Sequence, residues 1–128
     1  MLASGASAKH VNNNDVSCGK VIVSTPSPLA AVWTPAERIL NRLLNVNENS
    51  ANQINIDGRI VGWGWVVGPR DSGSRAVLWS NADSKMILLD TFLGKKSSLG
   101  YLDTAMAIND HNVIVGQARN GAFLAVPQ

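Results

Sequence analysis

Two tryptophans, Trp63 and Trp65, flank Gly64. On a strand this alternation sends both indoles to one face. Paired rings there can stack on a sugar or another planar ligand, and they can equally pack in a core or at a subunit contact. The segment Pro69-Arg70-Asp71-Ser72-Gly73-Ser74-Arg75 follows directly. Its two guanidinium groups could hold an anion or a carboxylate partner through fork-like hydrogen bonds, or the segment is only a solvated hairpin tip. Trp63, Trp65, Arg70 and Arg75 are the candidate ligand-binding residues.

Other reactive groups are sparse. Asp71, Asp83, Asp90 and Asp103 could supply the paired carboxylates of a glycosidase, if the fold brings two of them together. His10 and His111 lack metal-ligand spacing, and there is no His-x-Glu, Cys-x-x-Cys or acidic calcium-loop pattern. The Ser-Gly dipeptides near Ser72 and Ser74 make no nucleophile elbow, and no Gly-rich phosphate loop opens a helix. No catalytic residue, metal ligand or cofactor site is therefore assigned. Cys18 is the one cysteine, so no internal disulfide is expected. It reads as a small buried hydrophobe rather than a reactive thiol. None of the thirteen asparagines begins a glycosylation sequon.

What positions these residues is an internal repeat. Ser7-Ala8-Lys9-His10-Val11-Asn12, Ser50-Ala51-Asn52-Gln53-Ile54-Asn55 and Thr104-Ala105-Met106-Ala107-Ile108-Asn109 share one pattern. Each is followed at the same offset by a glycine: Gly19, Gly62 and Gly116. The pattern predicts a hairpin. One strand ends at Val11, Ile54 or Ile108, and the next begins near Val16, Ile60 or Val113. Asn14-Asp15, Asp57-Gly58 and His111-Asn112 lie between them. Asp-Gly is a two-residue turn signal, because a type I′ turn needs positive φ at both positions. Asp, Gly and Asn at the second turn position tolerate the left-handed region best. The repeated glycine fits a tight bend or a close backbone approach.

A third strand is expected at Ala30–Trp33, Ala76–Trp79 and Ala122–Ala125, apolar enough to be covered on both faces. Trp33 and Trp79 hold equivalent positions, which places both in the core. A fourth run follows at 38–44 and 85–90 but has no counterpart in the third copy. Residues 36–44, after Pro35, could instead begin a short helix; strand is preferred because 85–90 lacks that start signal. The chain thus reads as one repeat domain of units near 1–44, 45–91 and 92–128. Each unit is too small to bury both faces of its sheet alone. The fold class expected is all-β, with antiparallel propeller-like repeats of about four strands. A threefold β-trefoil or β-prism is the alternative.

Leu88-Leu89-Asp90-Thr91-Phe92-Leu93-Gly94, Ala105-Met106-Ala107-Ile108-Asn109-Asp110, Val113-Ile114-Val115-Gly116 and Ala122-Phe123-Leu124 together resemble the HAF repeat of probable extracellular bacterial proteins. The second copy matches through Ile54-Asn55, Asp57-Gly58, Ile60-Val61-Gly62 and Ala76-Val77-Leu78-Trp79, and the first only loosely. Lys95-Lys96 departs from the family's second glycine, and Asp15 and Asn112 from its turn glycine. The resemblance implies a propeller-like β-repeat and an extracellular location. It implies no established activity and no site residues.

Composition sets the outer limits. The chain has 128 residues, 45% apolar and 16% charged, which excludes a disordered chain. A net charge of +2 carries no nucleic-acid argument, despite a pI near 9.0. No apolar run suffices for a membrane span or for the core of a signal peptide. The expected function is a non-catalytic β-repeat binding or interaction module for a glycan or protein. A small carbohydrate-active enzyme and a structural fragment of a larger exported repeat protein are the alternatives. Exposed sheet edges further predict a homo-oligomer, with a dimer supplying six units.

Overall fold

The structure, a computed structural model, describes residues 5–23, 27–69, 71–93 and 98–127. It is all-β, in three antiparallel sheets, none of them closed. Sheet 1 is β1 (Ser7–Val11), β2 (Ser17–Val21), β3 (Leu29–Trp33) and β4 (Glu37–Ile39). Sheet 2 is β5 (Val46–Ile54), β6 (Ile60–Val66), β7 (Gly73–Trp79) and β8 (Ile87–Leu88). Sheet 3 is β9 (Leu102–Ile108), β10 (Ile114–Ala118) and β11 (Gly121–Ala125). Strands lie in chain order within each sheet, so every sheet is a meander. The fourth runs are shorter than expected. β4 ends at Ile39, and β8 gives way to a 3-10 turn at Leu89–Phe92. Residues 36–44 contain a strand and no helix.

The three first hairpins are built alike. Asn12, Asn55 and Asn109 each donate a backbone N–H to the carbonyl of Val16, Arg59 or Val113. Their own carbonyls accept from Asp15, Gly58 and Asn112. The loops therefore hold three residues, not two. Positive φ falls only on the second of the expected turn pair: Asp15 at 60°, Gly58 at 85° and Asn112 at 66°. A type I′ turn is thereby replaced by a three-residue loop ending in one left-handed residue. The asparagine side chain fixes this geometry as an Asx turn. Asn12 Oδ1 accepts the N–H of Asn14 and Val16, and Asn109 Oδ1 those of His111 and Val113.

The repeated glycine sits inside the second strand and marks a close approach. A Cβ on Gly19, Gly62 or Gly116 would lie 1.9, 2.0 or 2.1 Å from the carbonyl oxygen of Ser7, Ser50 or Thr104. The strand register slips beside these carbonyls, between Ala8 and His10, Ala51 and Gln53, and Ala105 and Ala107. Each slip is a bulge that leaves Lys9, Asn52 or Met106 as the extra residue.

The sheets stack face to face. Cys18, Ala30 and Val32 of sheet 1 meet Ile60, Val77 and Trp79 of sheet 2 in one core cluster. Val61 and Ala76 on the opposite face of sheet 2 meet Ile108, Ile114 and Phe123 of sheet 3 in a second. Sheet 2 is therefore covered on both faces, which is why its centre is apolar throughout. Trp33 and Trp79 are buried, as their equivalence predicts. Cys18 is also fully buried, and burial pushes its thiol up to about 12, so its thiolate form is suppressed. Among the described residues, no helix is long and apolar enough to cross a membrane.

Candidate functional site

The first strands β1, β5 and β9 belong to different sheets yet run alongside one another. The bulge explains how they are joined. It breaks the alternation of the strand, so two consecutive side chains can reach toward the next unit. Lys9 Nζ donates to Asn52 Oδ1 at 3.1 Å, while His10 Nδ1 accepts the Ile54 N–H at 3.3 Å. One unit later, Asn52 Nδ2 donates to the Ala105 carbonyl at 2.8 Å, while Gln53 Oε1 accepts the Ile108 N–H at 2.6 Å.

The turn asparagines add a second row of ties. Asn12 Nδ2 donates to the Asn55 carbonyl at 2.9 Å, and Asn55 Nδ2 to the Asn109 carbonyl at 3.0 Å. Asn55 Nδ2 also reaches Asn112 Oδ1 at 2.7 Å. Asp110 Oδ1 accepts the Ile56 N–H at 2.9 Å. Backbone groups on the inner edges of sheets 2 and 3 are thus satisfied by side chains of the neighbouring unit.

These strands and turns enclose a groove of about 430 Å³. His10, Gln53, Asn55, Asn109, Asp110 and Val115 are among the residues lining it. Several polar atoms there remain open to a ligand. Among the described residues, His10 Nε2, Gln53 Nε2 and Asn109 Nδ2 make no protein hydrogen bond. Asn109 and Asp110 are exposed. The groove therefore offers neutral donors and a carboxylate acceptor beside apolar wall. That combination suits hydroxyl groups better than a charged ligand, since amides can both donate and accept.

The candidate residues read from the sequence are placed differently from one another. Trp63 and Trp65 lie on β6 and share one face, as their spacing predicts. Trp63 is half-buried and Trp65 is 40% exposed. They pair across from Ala76 and Ser74, on the side of sheet 2 that faces sheet 3. Arg75 pairs across from Gly64, one step out of phase with the two tryptophans. Its guanidinium is spent inside the protein. Nη1 donates to the Ser74 carbonyl at 2.9 Å, Nε lies 3.7 Å from Asp90 Oδ2, and Cζ lies 3.7 Å above the Tyr101 ring. Arg119 approaches the same ring at 5.0 Å. Arg75 thus ties sheet 2 to the segment leading into β9. Arg70 lies outside the described residues.

Asp83 forms an ion pair with Arg38, and Asp90 accepts the Leu102 N–H at 2.9 Å. Among the described residues, no three His, Cys, Asp or Glu side chains gather where they could hold a metal ion. The inner groove was not foreseen, because its lining comes from three separate strands. A signal for it existed. Ala51 and Ile54 are three apart yet enter one core cluster, and Ala105 and Ile108 enter the other in the same way, which a strand without a bulge would send to opposite faces. No family model matches the chain, and neither a curated protein nor a solved structure matches it.

Proposed function

We propose that the chain is a non-catalytic binding module whose three stacked sheets form a propeller-like arc, and that the groove across its first strands takes an oligosaccharide. The observation that carries this reading is the open row of His10 Nε2, Gln53 Nε2 and Asn109 Nδ2 along a groove of about 430 Å³. Face-to-face stacking with the first strands together supports the propeller-like reading over a trefoil or prism, in which three units surround one axis. The resemblance to the HAF repeat is part of the same proposal and rests on the hairpins. Trp63 and Trp65 form a second candidate surface, toward sheet 3.

The test is a titration of isotope-labelled protein with neutral oligosaccharides, such as chitotetraose and cellopentaose. Amide shifts are expected at Gln53, Asn109 and Asp110. Shifts confined to the Trp63 and Trp65 indoles would move the site to sheet 2. Release of shortened sugar would replace binding with catalysis. No shift at about 1 mM, where binding free energy is only about −4 kcal/mol, would remove the carbohydrate reading.

A second reading, self-association, is favoured by one specific observation. The far face of sheet 3 is open where the same face of sheets 1 and 2 is covered. Cys18 and Val61 are 0% exposed, whereas Val115 at the equivalent position is 40% exposed. Leu124 is 63% exposed against 1% for Val32, and Met106 adds 56%. A second copy covering this face would give a dimer of six sheets. Light scattering should return twice the 13.6 kDa chain mass, and Leu124→Asp with Met106→Asp should return the monomer. A wild-type monomer at about 0.1 mM, well above micromolar affinity, would sink the dimer.

A further inference from the structure

We propose that the outer edge of β11 is a docking site for an extended apolar peptide, which adds antiparallel to β11 as a fourth strand. This is independent of the oligosaccharide reading, since it concerns the opposite edge of sheet 3.

Sheets 1 and 2 show what the position requires. β4 pairs with β3 through Ala31–Ile39 and Val32–Arg38, and β8 pairs with β7 through Val77–Leu88 and Leu78–Ile87. The repeat places Phe123 and Leu124 of β11 at the positions of Val77 and Leu78. Among the described residues no strand pairs with the outer edge of β11. A free edge presents unpaired backbone donors and acceptors, which is the substrate for strand addition.

The side-chain space is also formed. An apolar groove of about 640 Å³ lies beside this edge, lined by Leu78, Leu89, Phe92, Leu93, Phe123 and Val126, among others. Phe92 is 69% exposed and Val126 60%. In sheet 2 the equivalent space is filled from the fourth-strand segment. Met86, just before β8, is 2% exposed in the core between sheets 1 and 2, and Leu88 packs against that same core. Leu89 turns the other way, into the core between sheets 2 and 3. A segment at β11 would by the same alternation send its first and third residues into the groove between sheets 2 and 3. Its second and fourth would lie beside Leu124. The occupant is therefore a peptide with consecutive large apolar residues, of the type Met-Ile-Leu-Leu. Arg59 and Asn112 are the polar members of the lining, and they already bond to each other at 3.1 Å, so the rest of the groove favours an apolar strand.

The probe is a synthetic peptide of residues 82–91 of this chain, added to the labelled full-length protein. Binding is expected, with shifts and slowed hydrogen exchange on β11. Phe92→Asp with Val126→Asp, both at exposed positions outside strands, should weaken it by about tenfold or more. The peptide carrying Met86→Ser and Leu88→Ser should not bind. Met106→Asp, on the far face of sheet 3, should leave binding unchanged. Three results overturn the proposal: no binding at about 1 mM; shifts that map to β7, showing displacement of the chain's own β8; or edge-to-edge pairing of two β11 strands that the peptide fails to compete.

Discussion

Gly62→Ala is expected to destabilise the protein by about 3 kcal/mol or more, the range in which backbone overpacking and strain dominate mutational effects. The new Cβ would stand 2.0 Å from the Ser50 carbonyl oxygen and 3.0 Å from the Ala51 Cα. Both are backbone atoms of the paired strand β5, so no rotamer change can make room. The β5–β6 pair must separate at its bulge, inside the sheet that supplies both interfaces of the stack. Gly58, four residues earlier in the same hairpin, gives the contrast. A Cβ there would meet nothing within 4 Å, and only its φ of 85° is restrictive. Asp15 and Asn112 hold the same position at 60° and 66°. Gly58→Asn should thus cost under about 1 kcal/mol, since Asn tolerates the left-handed region. Urea unfolding followed by tryptophan fluorescence measures both. Equal, small effects would show that close approach is not why the glycine recurs.

These two glycines also show how far the sequence could be read. The recurrence of Gly19, Gly62 and Gly116 predicted a tight bend or a close approach, and the structure supplies the approach. The turn pair predicted positive φ, and the structure places it on the second residue only. The difference comes from the asparagine before the loop, whose side chain and carbonyl together stabilise a three-residue turn. Local chemistry of this kind is legible in one strand of sequence. Relations between units are not. Arg75 lies in a loop-like run of Ser, Gly and Arg, yet it is buried, because Asp90 and Tyr101 come from later in the chain. Trp63 and Trp65 share a face by spacing alone, but what covers that face depends on sheet 3. The fourth runs read as equal elements, and their different partners on the two sides of sheet 2 emerge only from the stacking.

The far end of the array differs from its middle in the same physical terms. Lys9 and His10, then Asn52 and Gln53, hand hydrogen bonds to the next unit. At the equivalent positions sheet 3 carries Met106 and Ala107, neither of which can donate, and only the thioether of Met106 can accept, weakly. A further sheet could not be tied on by this polar row. Contact at that face must instead be apolar, which is the character of the exposed Met106, Val115 and Leu124. The inner edge and the far face of sheet 3 are thus chemically distinct surfaces, one lined by polar side chains and the other apolar.

Asn55→Ala should cost about 3 kcal/mol, from three lost side-chain hydrogen bonds at about 1 kcal/mol each and the buried groups they leave unpaired. Asn55 Oδ1 accepts the Arg59 N–H at 2.9 Å, and its Nδ2 serves the Asn109 carbonyl and Asn112 Oδ1. The residue is 2% exposed, so water cannot replace these partners without opening the stack. Its counterparts are less enclosed. Asn12 is half-buried and Asn109 exposed. Asn12→Ala and Asn109→Ala should therefore cost less, about 1–2 kcal/mol each, since the freed groups can be hydrated. Asn55→Asp separates the two roles of the amide. It keeps the acceptor that closes the turn but removes the donor that ties unit 2 to unit 3, and it faces Asn109 and Asn112 oxygens with a carboxylate. If the tie carries the energy, Asn55→Asp will be nearly as damaging as Asn55→Ala in chemical denaturation. If the turn carries it, Asn55→Asp will recover most of the loss. Equal costs at all three asparagines would mean that each acts only within its own hairpin, and that the units are held together by their apolar faces alone.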